Sequence, residues 1–388
     1  MNVMNLANEN REYTIGLRRH FHQYPETGWE EFETQKRIKQ ELDTLGIPYV
    51  EVLGTGLVAT LEGNKKHPII GLRTDIDALP VKEDTGLSFA SKIEGKSHAC
   101  GHDGHMAMLL TTAKILSENK DKLNCTVKFI FQPAEELAAG AKEFAKQPEV
   151  QDIDNFMAIH IWSPIPVGKI SVQAGPRMSS CDMFYLTIKG ESGHGAFPDT
   201  AIDPIPCAAA LVSNLQTIVS REIAPTEPAV VSVCSLNAGN KFNVIPGEAK
   251  LSGTTRSFSP EVHAMIPEAM ERIIGNTCNA FRTTYDFEYV RGTLPVINEV
   301  NSSRRAEAAV RNTLGEDALI DYPKFTGAED FSYFMQNKPG YLAFVGGGKI
   351  HGPVYPHHHE KFDIDEQGLV NGVALFVQYV LETQDDLK

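Results

Sequence analysis

The chain has 388 residues, 42% of them hydrophobic, 22% charged and 8% aromatic, more than one core usually serves, so two domains are expected. Thirty-one Gly and 22 Pro are near the average share and argue against a disordered or fibrous chain. With 36 basic against 50 acidic residues, a formal charge of −14 repels phosphate backbones and anionic lipid, so no nucleic-acid partner and no membrane partner is expected.

No apolar run approaches the ~18 residues needed to span a bilayer, and Met1 to His20 lacks the apolar core of a secretory signal. The cysteines Cys100, Cys125, Cys181, Cys207, Cys234 and Cys278 are far apart, without C-x-x-C. Reduced thiols in a cytoplasmic protein are the expectation.

Apolar spacing predicts a helix over Phe32–Leu45, stopped by Gly46. Apolar runs at Leu57–Leu61 and Pro68–Leu72 follow, the second leading into Arg73-Thr-Asp-Ile-Asp77. A helix is expected over 103–118. Strands at Thr126–Phe131 and Phe156–Ile161 come next, the first entering Gln132-Pro-Ala-Glu-Glu136 and the second ending near His160. Strands alternating with helices predict an α/β fold with a mostly parallel sheet, whose chemistry gathers where strands end.

From Asp182 to Val290 the pattern changes. Phe184, Leu186 and Ile188 alternate as on a strand, and Asp203-Pro204 opens a helix as cap and first-turn proline. Strands at Ala229–Leu236 and Glu248–Phe258 follow, then a helix from Ser259-Pro260 with Pro267 implying a kink or late start, and a strand at Tyr285–Val290. That β-α-β-β-α-β order is a self-contained split βαβ unit. Domain bounds of 1–181 with 292–388, interrupted by 182–291, are expected, the chain ending in a helix near Glu366–Glu382.

The densest cluster of reactive side chains is Ser97-His-Ala-Cys-Gly-His-Asp-Gly-His105. Thiolate and imidazole are preferred ligands of zinc-like cations, and glycines at 101 and 104 allow tight paths. Glu135-Glu136 follows a strand; one carboxylate can bind metal while its neighbour acts as a general base on water. Taken alone, a histidine such as His160 on an apolar strand is more often a satisfied core residue than a ligand, and His357-His-His-Glu360 alone reads as a solvated loop. Gly193-His-Gly195, Phe242-Asn-Val-Ile-Pro246 and Arg256 stand in the inserted segment. No P-loop, G-x-G-x-x-G, G-x-S-x-G or HExxH pattern competes.

Together these residues resemble the zinc-dependent aminoacylase and carboxypeptidase family, in its amidohydrolase branch of hippurate and auxin-conjugate hydrolases. The resemblance runs in order through Leu17-Arg-Arg-His-Phe-His-Gln-Tyr-Pro-Glu26, Gly71-Leu-Arg-Thr-Asp-Ile-Asp-Ala-Leu-Pro80, His98-Ala-Cys-Gly-His-Asp-Gly-His105 and Phe131-Gln-Pro-Ala-Glu-Glu136. It continues through Gly193-His-Gly-Ala-Phe-Pro198, Asn243-Val-Ile-Pro246 and Gly327-Ala-Glu-Asp-Phe-Ser332.

The resemblance implies a di-metal catalytic domain with an inserted ferredoxin-like α+β lid that also dimerises the chain. Cys100 would bridge two divalent cations (zinc, manganese or cobalt), with His102 and His160 on one and Glu136 and His358 on the other. His357 and His359 flank that last ligand, and Glu360 stands where the branch usually has proline. Asp77 would orient the site from behind the ligands. Glu135 would be the general base, His194 the oxyanion donor reaching from the partner subunit, and Asn243 and Arg256 would bind the substrate. The implied reaction is hydrolysis of an N-acyl amino acid, and the alternative is cleavage of dipeptides or other small peptides. Two rivals stand beside it: a metal-free thiol hydrolase using Cys100 as nucleophile and His102 as base, and a non-enzymatic metal-dependent binding module or inactive homologue.

Overall fold

A computed structural model describes residues 1–387. The chain forms two compact units: Met1–Gly175 with Ile297–Pro323 and Asp330–Lys388, and Pro176–Val296 with Lys324–Glu329. The return of Lys324–Glu329 to the second unit has no counterpart in the pattern of the sequence.

The first unit is built on a sheet whose strands lie in the order Tyr49–Val52, Gly56–Glu62, Thr126–Gln132, Ile69–Asp75, Asn155–Pro166, Gly340–Gly348 and Ile170–Ser171. The middle strands, from Thr126–Gln132 to Gly340–Gly348, run parallel, and antiparallel strands finish both edges. Ile69–Asp75, Thr126–Gln132 and Gly340–Gly348 are buried at every position, as parallel strands covered on both faces must be.

The helices His102–Glu118 and Gln367–Asp386 pack on each other and on this sheet. His102–Glu118 is apolar nearly all round, from Met106 to Leu116, and accordingly is buried. Phe32–Leu45 ends where Gly46 turns to φ 65°, the left-handed stop that glycine supplies.

The second unit holds an antiparallel sheet ordered Ala229–Ala238, Glu248–Ser257, Cys181–Lys189, Thr284–Thr293. In Cys181–Lys189 the side chains of Phe184, Leu186 and Ile188 are buried while Met183 and Tyr185 are exposed, the period-2 signature of a sheet covered on one face. That cover comes from Pro204–Thr217 and Pro260–Ala280. Asp203 caps the first by accepting the Ile205 N–H at 2.9 Å, and Ser259 caps the second by accepting that of Val262 at 3.3 Å. Pro260–Ala280 starts at its first proline and runs on through Pro267. Gly193–His194 and Val244–Ile245 pair separately as a short ribbon.

Candidate metal centre

The carboxyl ends of the parallel strands supply most of the site. Ile69–Asp75 leads into Asp77, and Thr126–Gln132 leads through Pro133 into Glu135 and Glu136. His160 lies inside the strand Asn155–Pro166 rather than at its end, because pairing with Gly340–Gly348 continues past Ile161 to Pro166 although Ser163 and Pro164 interrupt the apolar run. Cys100 and His102 flank Gly101, which caps the helix His102–Glu118 at φ 93°. A side chain at 101 would meet Ile161 Cγ2 at 2.5 Å, so both conformation and space require glycine.

Ligand-capable atoms converge in overlapping groups, each within 4.8 Å: Cys100, His102 and His160; Cys100, Glu136 and His358; His102, Glu135 and Glu136. Cys100 belongs to two of them. Of His357, His358 and His359, the middle one alone joins such a group among the described residues. Its Nε2 lies 3.4 Å from Glu136 Oε2, and its backbone holds φ 66° with its N–H donated to the Ala99 carbonyl at 2.8 Å. A non-glycine residue held there is strained, and such strain collects at functional sites. His357 turns away: its Nε2 accepts the Ser163 N–H at 3.3 Å and its ring stacks on Trp162 at 4.4 Å. His359 Nδ1 accepts the Lys361 N–H at 3.0 Å.

Hydrogen bonds fix the imidazole tautomers. His102 Nδ1 donates to the Asp77 carbonyl at 2.9 Å, and His160 Nδ1 donates to the Ile161 carbonyl at 2.7 Å. In each neutral ring the lone pair therefore resides on Nε2, the form a metal takes. Two buried atoms at the centre, His102 Nε2 and Glu136 Oε1, have no hydrogen-bond partner. Unpaired buried polar atoms are costly, and a cation among them would satisfy both. The donor set of thiol, imidazoles and carboxylate fits a zinc-like or manganese-like ion.

The electrostatics agree. Burial, reinforced by Glu136, Glu135 and Asp75, pushes the Cys100 thiol well above its ordinary range. Burial and the neighbouring His105 and His357 push His160 well down, keeping it neutral. Burial opposes charge on His102, but Asp75, Asp77 and Glu136 outweigh it and raise the ring to about 10, so the metal-free ring is protonated and a cation would displace the Nε2 proton. A thiol that is hard to ionise makes a poor metal-free nucleophile, whereas a bound cation would reverse that balance.

Asp75 and His105 form a further buried group with His102, but Asp75 and His105 are committed to other partners. His105 Nε2 accepts the Ile161 N–H at 2.8 Å, so its Nδ1 donates to Asp75 Oδ1 at 2.7 Å. The i, i+3 spacing places His102 and His105 on one helix face, their rings 5.3 Å apart. That spacing is visible in the sequence and is the signal from which a supporting role for His105 can be read. Glu31 and Asp330 accept backbone N–H groups around Glu135 and Glu136; Asp330 lies in the Gly327-Ala-Glu-Asp-Phe-Ser332 motif, whereas Glu31 carries no comparable local signal.

His194, Asn243 and Arg256 belong to the second unit. His194 pairs with Val244 across the short ribbon, and Gly195 donates to the Asn243 carbonyl at 2.9 Å. The Ala196 N–H is donated to His194 Nδ1 at 3.1 Å, which leaves the proton of the neutral ring on an exposed Nε2. Arg256 Nη1 donates to the Thr255 carbonyl at 2.9 Å and to the Thr254 hydroxyl.

Residues 71–382 match peptidase family M20/M25/M40. The chain is similar to an N-acetylcysteine deacetylase of Bacillus subtilis (strain 168), at 36% identity over 95% of this chain and 97% of the relative. It is also 36% identical to an IAA-amino acid hydrolase of Arabidopsis thaliana, over 96% of this chain and 86% of that one. A thermostable carboxypeptidase of Saccharolobus solfataricus is 35% identical over 95% and 96% of the two chains. In structure it resembles the Bacillus subtilis YxeP protein, a dinuclear metal binding peptidase, with a TM-score of 0.86, 33% identity and coverage of 97% and 99%. On these whole-length similarities, the chain belongs to peptidase family M20/M25/M40.

Proposed function

We propose that the protein is a metal-dependent amidohydrolase that cleaves N-acyl amino acids or similar conjugates into a carboxylic acid and an amino acid. The observation that carries this reading is the convergence of Cys100, His102, His160, Glu136 and His358, with Glu135 beside them. The N-acetylcysteine deacetylase and IAA-amino acid hydrolase relatives support the substrate class.

Cys100, shared by two of the donor groups, would bridge a pair of cations, with His102 and His160 completing one site and Glu136 and His358 the other. When bound, divalent cations lower the pKa of water from ~15.7 toward ~7 and polarise a carbonyl oxygen. Zinc, manganese and cobalt all suit the mixed donor set.

Glu135 is the general base: it takes a proton as the water oxygen bonds to the amide carbon. It returns that proton to the nitrogen as the C–N bond breaks, so the amino acid leaves as a neutral amine. Asp77 orients His102 and Glu136. His194 is assigned as the oxyanion donor, supported by the Nε2 proton its tautomer leaves exposed. Asn243 and Arg256 are assigned to substrate binding, the guanidinium suiting a free carboxylate. We further propose a homodimer formed through the second unit, supported by the position of Ala229–Ala238 at the edge of its sheet. A cytoplasmic setting is supported by the free cysteines. No helix among the described residues is long and apolar enough to cross a membrane.

The carboxypeptidase relative favours a second reading, in which the scissile bond is a peptide bond. A panel of acetyl, benzoyl and indoleacetyl amino acids together with dipeptides separates the two, since the second expects dipeptides, which carry a free α-amino group, to be turned over faster than the N-acyl amino acids. On the preferred substrate, Glu135→Gln is expected to lower turnover by ~10²–10⁴ with metal content unchanged. Wild-type turnover in that variant, or full activity after exhaustive chelation, would overturn the mechanism in favour of the thiol chemistry.

A further inference from the structure

The segment from Gln132 to Ala141 carries Glu135 and Glu136, and it is strained. Ala134 stands at φ 54° and Ala138 at φ 51°, left-handed positions that non-glycine residues keep only when their surroundings force them. The segment also closes tightly, since a Cβ at Gly140 would lie 1.7 Å from the Pro133 carbonyl oxygen.

Buried carboxylates supply the force. Glu31 accepts the Ala134 N–H at 2.9 Å, Asp77 accepts that of Glu136 at 3.0 Å, and Asp330 accepts that of Ala141 at 2.9 Å. Asp330 grips both ends of the segment, because its oxygens also take the Gln132 amide N–H at 2.8 and 3.0 Å. Its own carboxylate is wholly buried and held by Arg73 Nη2 at 3.0 Å; Arg73 in turn reaches Asp75 at 2.9 Å and the Gln132 amide oxygen at 2.8 Å. The backbone N–H of the same Asp330 is donated to Glu135 Oε1 at 3.4 Å.

We propose that Asp330 is a positioning residue for Glu135: its side chain clamps the strained Gln132–Ala141 segment while its backbone N–H orients the base. This assignment rests on Glu135 being the base. It gives a role to the Gly327-Ala-Glu-Asp-Phe-Ser332 motif, and it differs from a plain structural ion pair in what its removal does. A structural pair lost from the core lowers stability and leaves the turnover of each folded molecule alone. A clamp lost from beneath the base lowers kcat, because a displacement of about 1 Å in a reacting group can cost ~10²-fold.

The test uses the full-length, metal-loaded enzyme on its best N-acyl amino acid, reading kcat, KM, metal content and thermal unfolding together. Asp330→Asn keeps the shape but faces an amide against the donors now held by a carboxylate. It is expected to lower kcat by ~10–100-fold, with KM within about threefold and metal content equal to wild type. Gln132→Met removes one arm of the clamp while leaving the Arg73–Asp330 pair, and is expected to lower kcat by ~3–10-fold with the same split. It decides the question if Asp330→Asn does not fold. Wild-type kcat per folded molecule in the variants that fold would overturn the clamp, as would a fall in activity traced wholly to lost metal. Glu135→Gln, measured alongside, separates the two levels. If it turns over normally the base assignment fails; if it is inactive while Asp330→Asn and Gln132→Met are normal, only the clamp fails.

Discussion

Asp77 accepts the backbone N–H of Glu136 through Oδ2 at 3.0 Å, while its Oδ1 lies 3.4 Å from His102 Nδ1. One buried carboxylate thus touches residues assigned to both cation positions, and its backbone carbonyl fixes the His102 tautomer at 2.9 Å. Asp77→Asn is expected to weaken metal binding by ~10–100-fold, the usual cost of losing a partner behind a ligand. Calorimetric titration of the chelated protein with zinc or manganese measures it. Unchanged affinity would show that Asp77 only packs the turn.

The three adjacent histidines should separate cleanly. His358→Ala removes the imidazole beside Glu136 and is expected to reduce bound metal from about two equivalents to about one. His357→Ala removes a ring stacked on Trp162 and the acceptor of the Ser163 N–H. It should cost about 1–3 kcal/mol of stability with metal content preserved. His359→Ala, whose ring stacks on Tyr355 near the surface, should change neither. Elemental analysis with urea unfolding reads all three, and a normal metal load in His358→Ala would overturn the assignment.

The uneven legibility of the site follows from how each residue is fixed. Cys100 and His102 are legible because their neighbours in the chain set their placing: Gly101 permits the left-handed cap that turns both inward. The split βαβ order of the second unit is legible from alternation and helix caps, which are local signals. His358 cannot be told from His357 and His359 in the sequence, because the choice depends on the Ala99 carbonyl and on Trp162, both remote along the chain. Glu31 stays hidden for the same reason, and the Gly327-Ala-Glu-Asp-Phe-Ser332 motif marks Asp330 without revealing what it does, since their partners, Ala134, Ala141 and Arg73, meet them only after folding. His160 sits inside its strand and not at the expected terminus, because an apolar run does not reveal how far pairing with Gly340–Gly348 extends.

Gly101→Ala tests the local geometry that brings thiol and imidazole together. Alanine at φ 93° carries a backbone penalty of about 1–2 kcal/mol. Its Cβ, 2.5 Å from Ile161 Cγ2, adds about 1–3 kcal/mol of overpacking. A loss of roughly 2–5 kcal/mol is expected in denaturant unfolding, together with weaker metal binding, because Cys100 and His102 must move apart to relieve the clash. Gly46, also at positive φ but with nothing within 4 Å of where an added methyl would stand, should lose only the backbone part on the same substitution.

His22 is expected to give the fold a pH dependence whose sign follows from its neighbours. Its Nδ1 lies 2.7 Å from Asp103 Oδ2 and its Nε2 3.2 Å from Glu83 Oε1, while Arg18 Nε reaches the same Asp103 oxygen at 3.2 Å. Burial disfavours a charged ring, but the carboxylates, Asp103 foremost, outweigh it and raise His22 to about 9. Asp103 moves oppositely: burial raises it, yet Arg18 and His22 hold it well below the usual carboxylate range. An unfolded histidine titrates near ~6.5 and an unfolded aspartate near ~3.9. The His22 contribution is therefore complete below pH ~6.5 and disappears as pH rises through about 9. The Asp103 contribution is present above pH ~3.9 and disappears as pH falls below it. In metal-free protein, wild type should lose roughly 2–3 kcal/mol more than His22→Gln between pH 6 and 9.5. Urea midpoints at the two pH values measure that difference, and the variant comparison removes the part due to titrating cysteines. Parallel pH profiles for the two proteins would mean that His22 is neutral in the fold, and that Arg18 alone compensates the charge of Asp103 behind the helix that begins with His102.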